Sequence, residues 1–285
     1  MRSKLFVPGA RRELFAKALA TQADAISFDV EDSVVHDAKG AARDQIAEFL
    51  RSDALRGRDK IIIVRVNAPG SHHFEGDLMA FACPQVALLN LPKIESAAEV
   101  HAAVAVLEAA EARNGVQQPI RLLLNIESAK GLRQAPDIVA AHPRVAGLQL
   151  GLADLFESAG IDREDPRNRH AALFSMRMAA AETGAFAYDS AYPDVSNDAG
   201  FRAEALEAKR LGYVGKSCIH PRQIALANEV FRNDELDIAQ ARRIVAAAKS
   251  AAVEGRGAFL LDGRMIDRPY LRRAEALLAE ADRAS

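Results

Sequence analysis

Carboxylates stand just past two apolar runs: Glu127 in Asn125-Ile126-Glu127-Ser128 and Asp154 in Gly151-Leu152-Ala153-Asp154. If those runs are neighbouring strands, the two side chains can reach one hard cation. Oxygen donors with no cysteine or histidine beside them favour Mg2+, or Mn2+, over zinc. Only two protein ligands would leave positions for water and substrate oxygens, which suits a catalytic ion. The competing reading is that each carboxylate caps the helix that follows or pairs with a base.

Arg65 follows Ile61-Ile62-Ile63-Val64, and an unpaired guanidinium in such a run would be costly to bury. Its partner is either Asp29 or Glu31, a purely structural arrangement, or a substrate carboxylate or oxyanion gripped by the planar fork of donors. The run Asp29-Val30-Glu31-Asp32 concentrates three negative charges, some of which must meet Arg65, Lys93 or metal-bound water. His72-His73 has the residue type for a metal pair, but adjacent residues do not share a face of regular structure, so it reads as a solvated loop. His220, before Pro221, either caps the following helix or touches a ligand. Cys83 and Cys218 belong to no CxxC pair or Cys/His cluster, which argues for reduced structural thiols over zinc or disulfide frameworks.

The elements that must position these residues come from the hydrophobic pattern. Short apolar, β-branched runs alternate with longer amphipathic stretches, the sign of repeated βα units. Strands are expected over residues 4–7, 25–29, 61–66, 86–91, 120–126, 145–150, 185–189 and 213–219. Helices are expected over 95–113, where Val100, Val104 and Leu107 recur at three- and four-residue spacing, and over 201–211. Eight parallel strands with right-handed crossovers close as an α/β structure, the (β/α)8 TIM barrel. An open doubly wound sheet would carry GxGxxG after its first strand; the turn here is Pro8-Gly9-Ala10-Arg11-Arg12. In a barrel the C-terminal strand ends share one mouth, so residues distant in sequence become neighbours there.

Past the eighth strand, helices are expected over 221–232 and 234–254, then a Gly-rich turn at 255–257 and a last helix over 269–284 with Leu271, Ala274, Leu277 and Leu278 on one face. Residues 1–232 are read as the barrel and 233–285 as a C-terminal helical extension packing on the barrel or on a neighbouring subunit. The chain has 285 residues, room for a barrel of about 250 plus that extension. A net charge of -2 with 27% charged residues marks no nucleic-acid or membrane partner. No basic segment feeds an apolar run at the start, and no stretch approaches the roughly eighteen apolar residues of a membrane span; the expectation is a cytoplasmic protein.

Eight motifs in order extend this reading. They are Leu5-Phe6-Val7-Pro8-Gly9 with Arg11 and Lys17-Ala18, Asp29-Val30-Glu31-Asp32-Ser33-Val34 with Lys39 and Arg43, Arg65-Val66-Asn67, and Leu91-Pro92-Lys93-Ile94-Glu95. Then come Ile126-Glu127-Ser128-Ala129-Lys130-Gly131, Gly151-Leu152-Ala153-Asp154-Leu155, Gly215-Lys216-Ser217-Cys218-Ile219-His220-Pro221 with Gln223, and Asp262-Gly263-Arg264-Met265-Ile266-Asp267. Together they resemble the citrate lyase beta-subunit-like (CitE-like) family, within the wider group of malyl-CoA lyases and HpcH/HpaI-type aldolases. The resemblance implies a (β/α)8 barrel assembling as a homotrimer or hexamer, with Mg2+ on Glu127 and Asp154. It implies that Arg65 grips the substrate, that Asn67, Lys93, Arg11, Lys216 and Glu127 help to bind it, and that Asp267 reaches a neighbouring subunit's site as an acid/base, with Asp29 or Glu31 as other proton carriers. The implied reaction is reversible Claisen-type cleavage of a 2-hydroxy-acid CoA thioester, such as citramalyl-, malyl- or citryl-CoA, to acetyl-CoA and a 2-oxo acid. A thioesterase on malyl-CoA-like substrates and a 2-oxo acid aldolase without CoA are the rivals. The loop from Asn67 to Phe74 departs from the family's Thr-Pro-Trp type, so the resemblance says least about the acyl pocket.

Overall fold

A computed structural model describes residues 1–253 and 255–284. Eight parallel strands close in sequence order: β1 (Ser3–Pro8), β2 (Ala25–Asp29), β3 (Ile61–Arg65), β4 (Leu88–Leu91), β5 (Arg121–Ile126), β6 (Val145–Leu150), β7 (Phe186–Ala191) and β8 (Lys216–Cys218), with β8 pairing back onto β1. The expected TIM barrel is therefore the observed architecture. Around it run α1 (Phe15–Leu19), α2 (Lys39–Arg51), α3 (Phe74–Phe81), α4 (Ala97–Asn114), α5 (Ala129–Arg133), α6 (Ala135–Ala140), α7 (Leu152–Ala159), α8 (Pro166–Thr183), α9 (Asp198–Arg210) and α10 (Pro221–Val230). Helix starts carry the side chains that starts require: Ser96 and Glu99 form a reciprocal capping box on α4, and Ser128 accepts from Gly131 N–H on α5.

The main core lies between the barrel wall and the helices, where Val64, Val66, Leu89, Leu91, Leu122, Leu124, Leu148 and Leu150 face outward into apolar helix faces. Inside the barrel the composition changes along the axis. Ala25, Ile63, Leu88 and Ala146, with Met1, Ile61 and Phe186, form a small apolar plug near the N-terminal strand ends. Above it the inward positions are polar. Lys4 on β1 donates to Gln149 on β6, strands that are not neighbours in the ring, so both side chains must cross the interior. A closed plug beneath a polar layer gives the mouth a fixed floor.

The chain divides into two compact units, Met1–Phe231 and Arg232–Ser285. In the second, α11 (Glu235–Val253) and α12 (Arg268–Ala284) pack together, and the antiparallel hairpin β9 (Phe259–Leu261) with β10 (Arg264–Ile266) lies between them in sequence. The hairpin turns at Asp262-Gly263, both at positive φ as a two-residue hairpin needs. Residue 254, the expected end of the preceding helix, lies outside the described residues.

Candidate active site at the barrel mouth

Asp29 and Arg65 are the last residues of β2 and β3 and are paired in register. Arg65 Nε donates to Asp29 Oδ1 at 2.7 Å and Nη2 to Oδ2 at 2.8 Å, while Nη1 lies 3.0 Å from Glu31 Oε2. The Arg65 side chain is 13% exposed and its guanidinium carbon sits 5.0 Å above the centre of the Phe6 ring. Burial opposes its charge, but Asp29, Glu31 and Glu127 together hold its pKa above the ordinary value. Both partners named as structural alternatives for Arg65 are thus present, and a bidentate fork fixes its plane.

Asp29 also accepts from Glu31 N–H at 3.0 Å and Ser33 N–H at 3.2 Å. With the two Arg65 bonds, each carboxylate oxygen receives two donors, which fills the acceptor capacity of the group. Burial pushes its pKa up, but the charge and hydrogen bonds of Arg65 outweigh that and hold it below the ordinary value. Of the roles expected for Asp29, this geometry suits the support of Arg65 better than the carrying of protons: every acceptor site of its carboxylate is filled. Glu31 differs. Burial lifts it to about 7 in spite of the Arg65 charge, and Lys93 Nζ donates to its Oε1 at 2.6 Å. Lys93 holds φ at 55°, a conformation costly for a residue with a side chain. That twist also turns its N–H onto Glu127 Oε2 at 2.9 Å.

Glu127 follows β5 and is 6% exposed; Asn125 Nδ2 donates to its Oε1 at 3.0 Å. Burial raises its pKa, the Arg65 charge opposes this, and the charge of Asp154 raises it again. Asp154 lies in the first turn of α7, exposed, with no hydrogen bond or ion pair to its carboxylate among the described residues. Gly151 lets the strand end pass close to Glu127: a Cβ there would lie 2.5 Å from Glu127 Cγ and 2.7 Å from Oε1. A buried carboxylate held in a glycine cradle, within electrostatic reach of the unpaired carboxylate of Asp154 and with no cysteine or histidine among its hydrogen-bond partners, fits a hard divalent cation.

The sequence pattern of the HpcH/HpaI aldolase/citrate lyase family matches residues 2–221, which take in all eight strands. The L-malyl-CoA/beta-methylmalyl-CoA lyase of Rhodobacter capsulatus is 36% identical over 99% of this chain and 95% of its own length. This chain belongs to the HpcH/HpaI aldolase/citrate lyase family. Citrate lyase subunit beta of Escherichia coli (strain K12) is also 36% identical, over 99% of this chain and 93% of its own. The structure of CitE from Mycobacterium tuberculosis in complex with magnesium, acetoacetate and coenzyme A superposes with a TM-score of 0.76 and 32% identity, over 99% of this chain and 100% of that one. A citrate lyase beta subunit from the same organism, complexed with oxaloacetate and magnesium, gives 0.67 and 31% over 81% and 97%. The chain is accordingly an enzyme of a lyase family, and magnesium is the metal in those neighbours.

In this HpcH/HpaI-family barrel the other expected residues part company. Lys216 is fully buried and points outward from β8, 2.7 Å from Asp189 Oδ2 and 3.1 Å from Glu204 Oε2 of α9. It ties the wall to the helix layer, a correction to its expected role on the substrate. Asn67 is buried, donating to Asp77 Oδ2 at 2.6 Å and accepting from Lys39 Nζ at 2.5 Å, so it braces the two mouth loops. Arg11 is exposed in the turn after β1, paired with Glu13. His220 takes the capping alternative, its Nδ1 accepting from Arg222 N–H at 3.2 Å. Asp267 belongs to the second unit, between β10 and α12, and its Oδ1 is buried without a hydrogen-bond partner among the described residues. Among the described residues no helix is long and apolar enough to cross a membrane.

Four residues escaped the sequence reading. Beneath Glu127, Asn90 Nδ2 donates to Asn125 Oδ1 at 2.6 Å, passing order from β4 to β5. Lys4 is fully buried, its ammonium 4.3 Å from the Phe6 ring centre and bonded to Gln149. Burial and the Arg65 charge depress its pKa strongly, and Asp29 and Glu127 oppose this. A signal existed for three of them: Asn90, Asn125 and Gln149 each stand between two apolar strand residues, whereas Lys4 follows Ser3.

Proposed function

We propose that this chain is a Mg2+-dependent carbon–carbon lyase that reversibly cleaves a 2-hydroxy-acid CoA thioester of the malyl, citramalyl or citryl type to acetyl-CoA and a 2-oxo acid. The observation that supports this best is the carboxylate pair Glu127 and Asp154 at the same mouth as the fixed guanidinium of Arg65. Glu127 and Asp154 would hold magnesium, whose chemistry when bound is Lewis-acid polarisation of the substrate's carboxylate and adjacent hydroxyl. Of the five N–H donors of Arg65, two are on Asp29 and one faces Glu31; the remaining two, one on Nη2 and one on Nη1, whose nitrogen also lies 3.7 Å from Asp32 Oδ2, can turn to substrate. Directed at the thioester oxygen, they stabilise the negative charge that gathers there as the carbon–carbon bond breaks.

The proton balance needs two groups. The hydroxyl must lose its proton as the 2-oxo acid forms, and the enolate carbon left on the thioester must gain one. Glu31, beside Arg65 and near neutrality in pKa, suits the first role. Asp267, supplied by a neighbouring copy in a homotrimer or hexamer, suits the second; an orphaned buried carboxylate oxygen is a group that a substrate could engage. Lys93 and Arg11 offer cations for the thioester's anionic parts. The reading carries with it a cytoplasmic enzyme.

The test is incubation of the purified protein with Mg2+ and a panel of these thioesters. Matched amounts of acetyl-CoA and a 2-oxo acid are expected, and Glu127→Ala or Asp154→Ala should end that turnover while the fold persists. Free CoA without a 2-oxo acid would mean a thioesterase, and turnover of CoA-free acids alone would mean an aldolase.

A further inference from the structure

His36 opens a short turn after β2, and His72 and His73 lie in the turn that leads from β3 into α3. The fold brings the three imidazoles together at the rim. Ring centres are 5.0 Å apart for His36 and His72, 5.2 Å for His36 and His73, and 3.8 Å for His72 and His73. One ring nitrogen from each lies within 4.8 Å of the other two. The objection that adjacent histidines do not share a face applies to strands and helices; a turn has no such alternation. We propose that His36, His72 and His73 form a binding site for a transition-metal cation of borderline softness, with Zn2+ as its type, separate from the carboxylate pair of the mouth.

Independent observations point the same way. His73 Nε2 is buried with no hydrogen-bond partner among the described residues, an imidazole nitrogen left for a ligand. The neutral ring is the form that binds metal. An anion in the same place would need protonated rings, like charges at these short spacings. The two loops are already tied beneath the cluster: Lys39 Nζ donates to Asn67 Oδ1 at 2.5 Å, and Arg43 Nη1 to Asp77 Oδ1 at 3.2 Å and His73 O at 3.5 Å.

Tetrahedral zinc at about 2.0–2.1 Å from each nitrogen sets the nitrogens roughly 3.3 Å apart. His36 and His72 are exposed, so rotation of their side chains can close the remaining distance without moving backbone. Imidazole donors select Zn2+, Co2+, Ni2+ or Cu2+ over Mg2+. Three protein ligands leave a fourth position for water or a small ligand.

The experiment uses the untagged full-length protein, stripped with chelator and kept in excess Mg2+ so that the carboxylate pair does not compete. Co2+ is titrated while its visible absorption is followed, then displaced with Zn2+. A single equivalent giving the intense spectrum of a four-coordinate ion is expected. His36→Ala and His72→Ala should each weaken it by more than about tenfold, the smallest loss expected from disturbing a ligand shell, with unchanged melting temperatures in chelator. No intense band in the wild type, or equal Co2+ affinity in the double variant, would overturn the site.

Discussion

Asp29→Asn separates a residue that orients Arg65 from one that moves protons. The substitution keeps the shape of the side chain but removes its charge and replaces one doubly bonded oxygen by an NH2. In either orientation that nitrogen would face two donors, one Arg65 N–H and one backbone N–H, of Glu31 at the Oδ1 position or of Ser33 at the Oδ2 position, all of which converge on the carboxylate at 2.7–3.2 Å. Arg65 and Asp29 are 13% and 3% exposed in their side chains, so solvent does little to compensate, although Glu31 remains at 3.0 Å. Breaking a buried pair from one side costs about 3–5 kcal/mol, which at roughly 2–4 °C per kcal/mol lowers the melting temperature by roughly 6–20 °C. Because the folded pKa of Asp29 is depressed, its stabilisation is complete above the unfolded value of about 3.9 and lost as pH falls through the folded one. Thermal unfolding at pH 7 therefore reads the whole effect. Turnover should fall with the loss of Arg65 alignment while the shape of the pH–rate profile persists. Wild-type melting would refute the argument that Arg65 depends on Asp29, and a normal melting temperature with one limb of the pH profile gone would make Asp29 the proton carrier after all.

Three further expectations follow from the same mouth. Gly151→Ala places a Cβ within 2.5 Å of Glu127 Cγ, so the Mg2+ concentration for half-maximal rate should rise markedly while circular dichroism stays native; unchanged Mg2+ dependence would move the metal elsewhere. Glu31 has a raised pKa of about 7, so the stability it contributes is complete below its unfolded value of about 4.3 and lost as pH rises through 7; the wild type should weaken from pH 5 to 8 relative to Glu31→Gln, and parallel curves would remove Glu31 as the neutral-range carrier. Lys4→Met combined with Gln149→Leu exchanges a buried polar pair for apolar groups of similar size, which is often neutral or stabilising. Because the Lys4 pKa is depressed, the wild type loses stability as pH falls through it, so the double variant should gain most at acid pH; a large loss of stability there would show that the ammonium is needed by Asp29 and Glu127.

The barrel was readable because its signal is repeated: eight apolar runs, each bounded by a longer amphipathic stretch, leave little freedom in how they close. Strand limits were less secure. Residues 213–219 were expected in the eighth strand, but only Lys216–Cys218 pair, since the pairing of β8 is set by the start of β1 and the end of β7 and not by its own composition. Glu127, Asp154 and Arg65 could be singled out as candidates because a charged group at the end of an apolar run has few fates. The choice posed for Arg65, structural partner or substrate, was too sharp, because five donors allow both.

The errors share a cause. A strand's period of two says which residues share a face but not which face looks inward. Lys216 and Lys4 both sit in strands at the β1–β8 seam, yet Lys4 pairs in register with Ser217, not Lys216. One step of register sends Lys4 into the barrel beneath the mouth and Lys216 out to Asp189 and Glu204. Pairing information comes from contacts across the ring, which a single sequence does not display. His36 escaped for a related reason: nothing near it in sequence calls for two histidines on the next loop. Local chemistry was therefore legible wherever one strand end sufficed to define it. Chemistry assembled from two or more strands became visible only once their register was fixed.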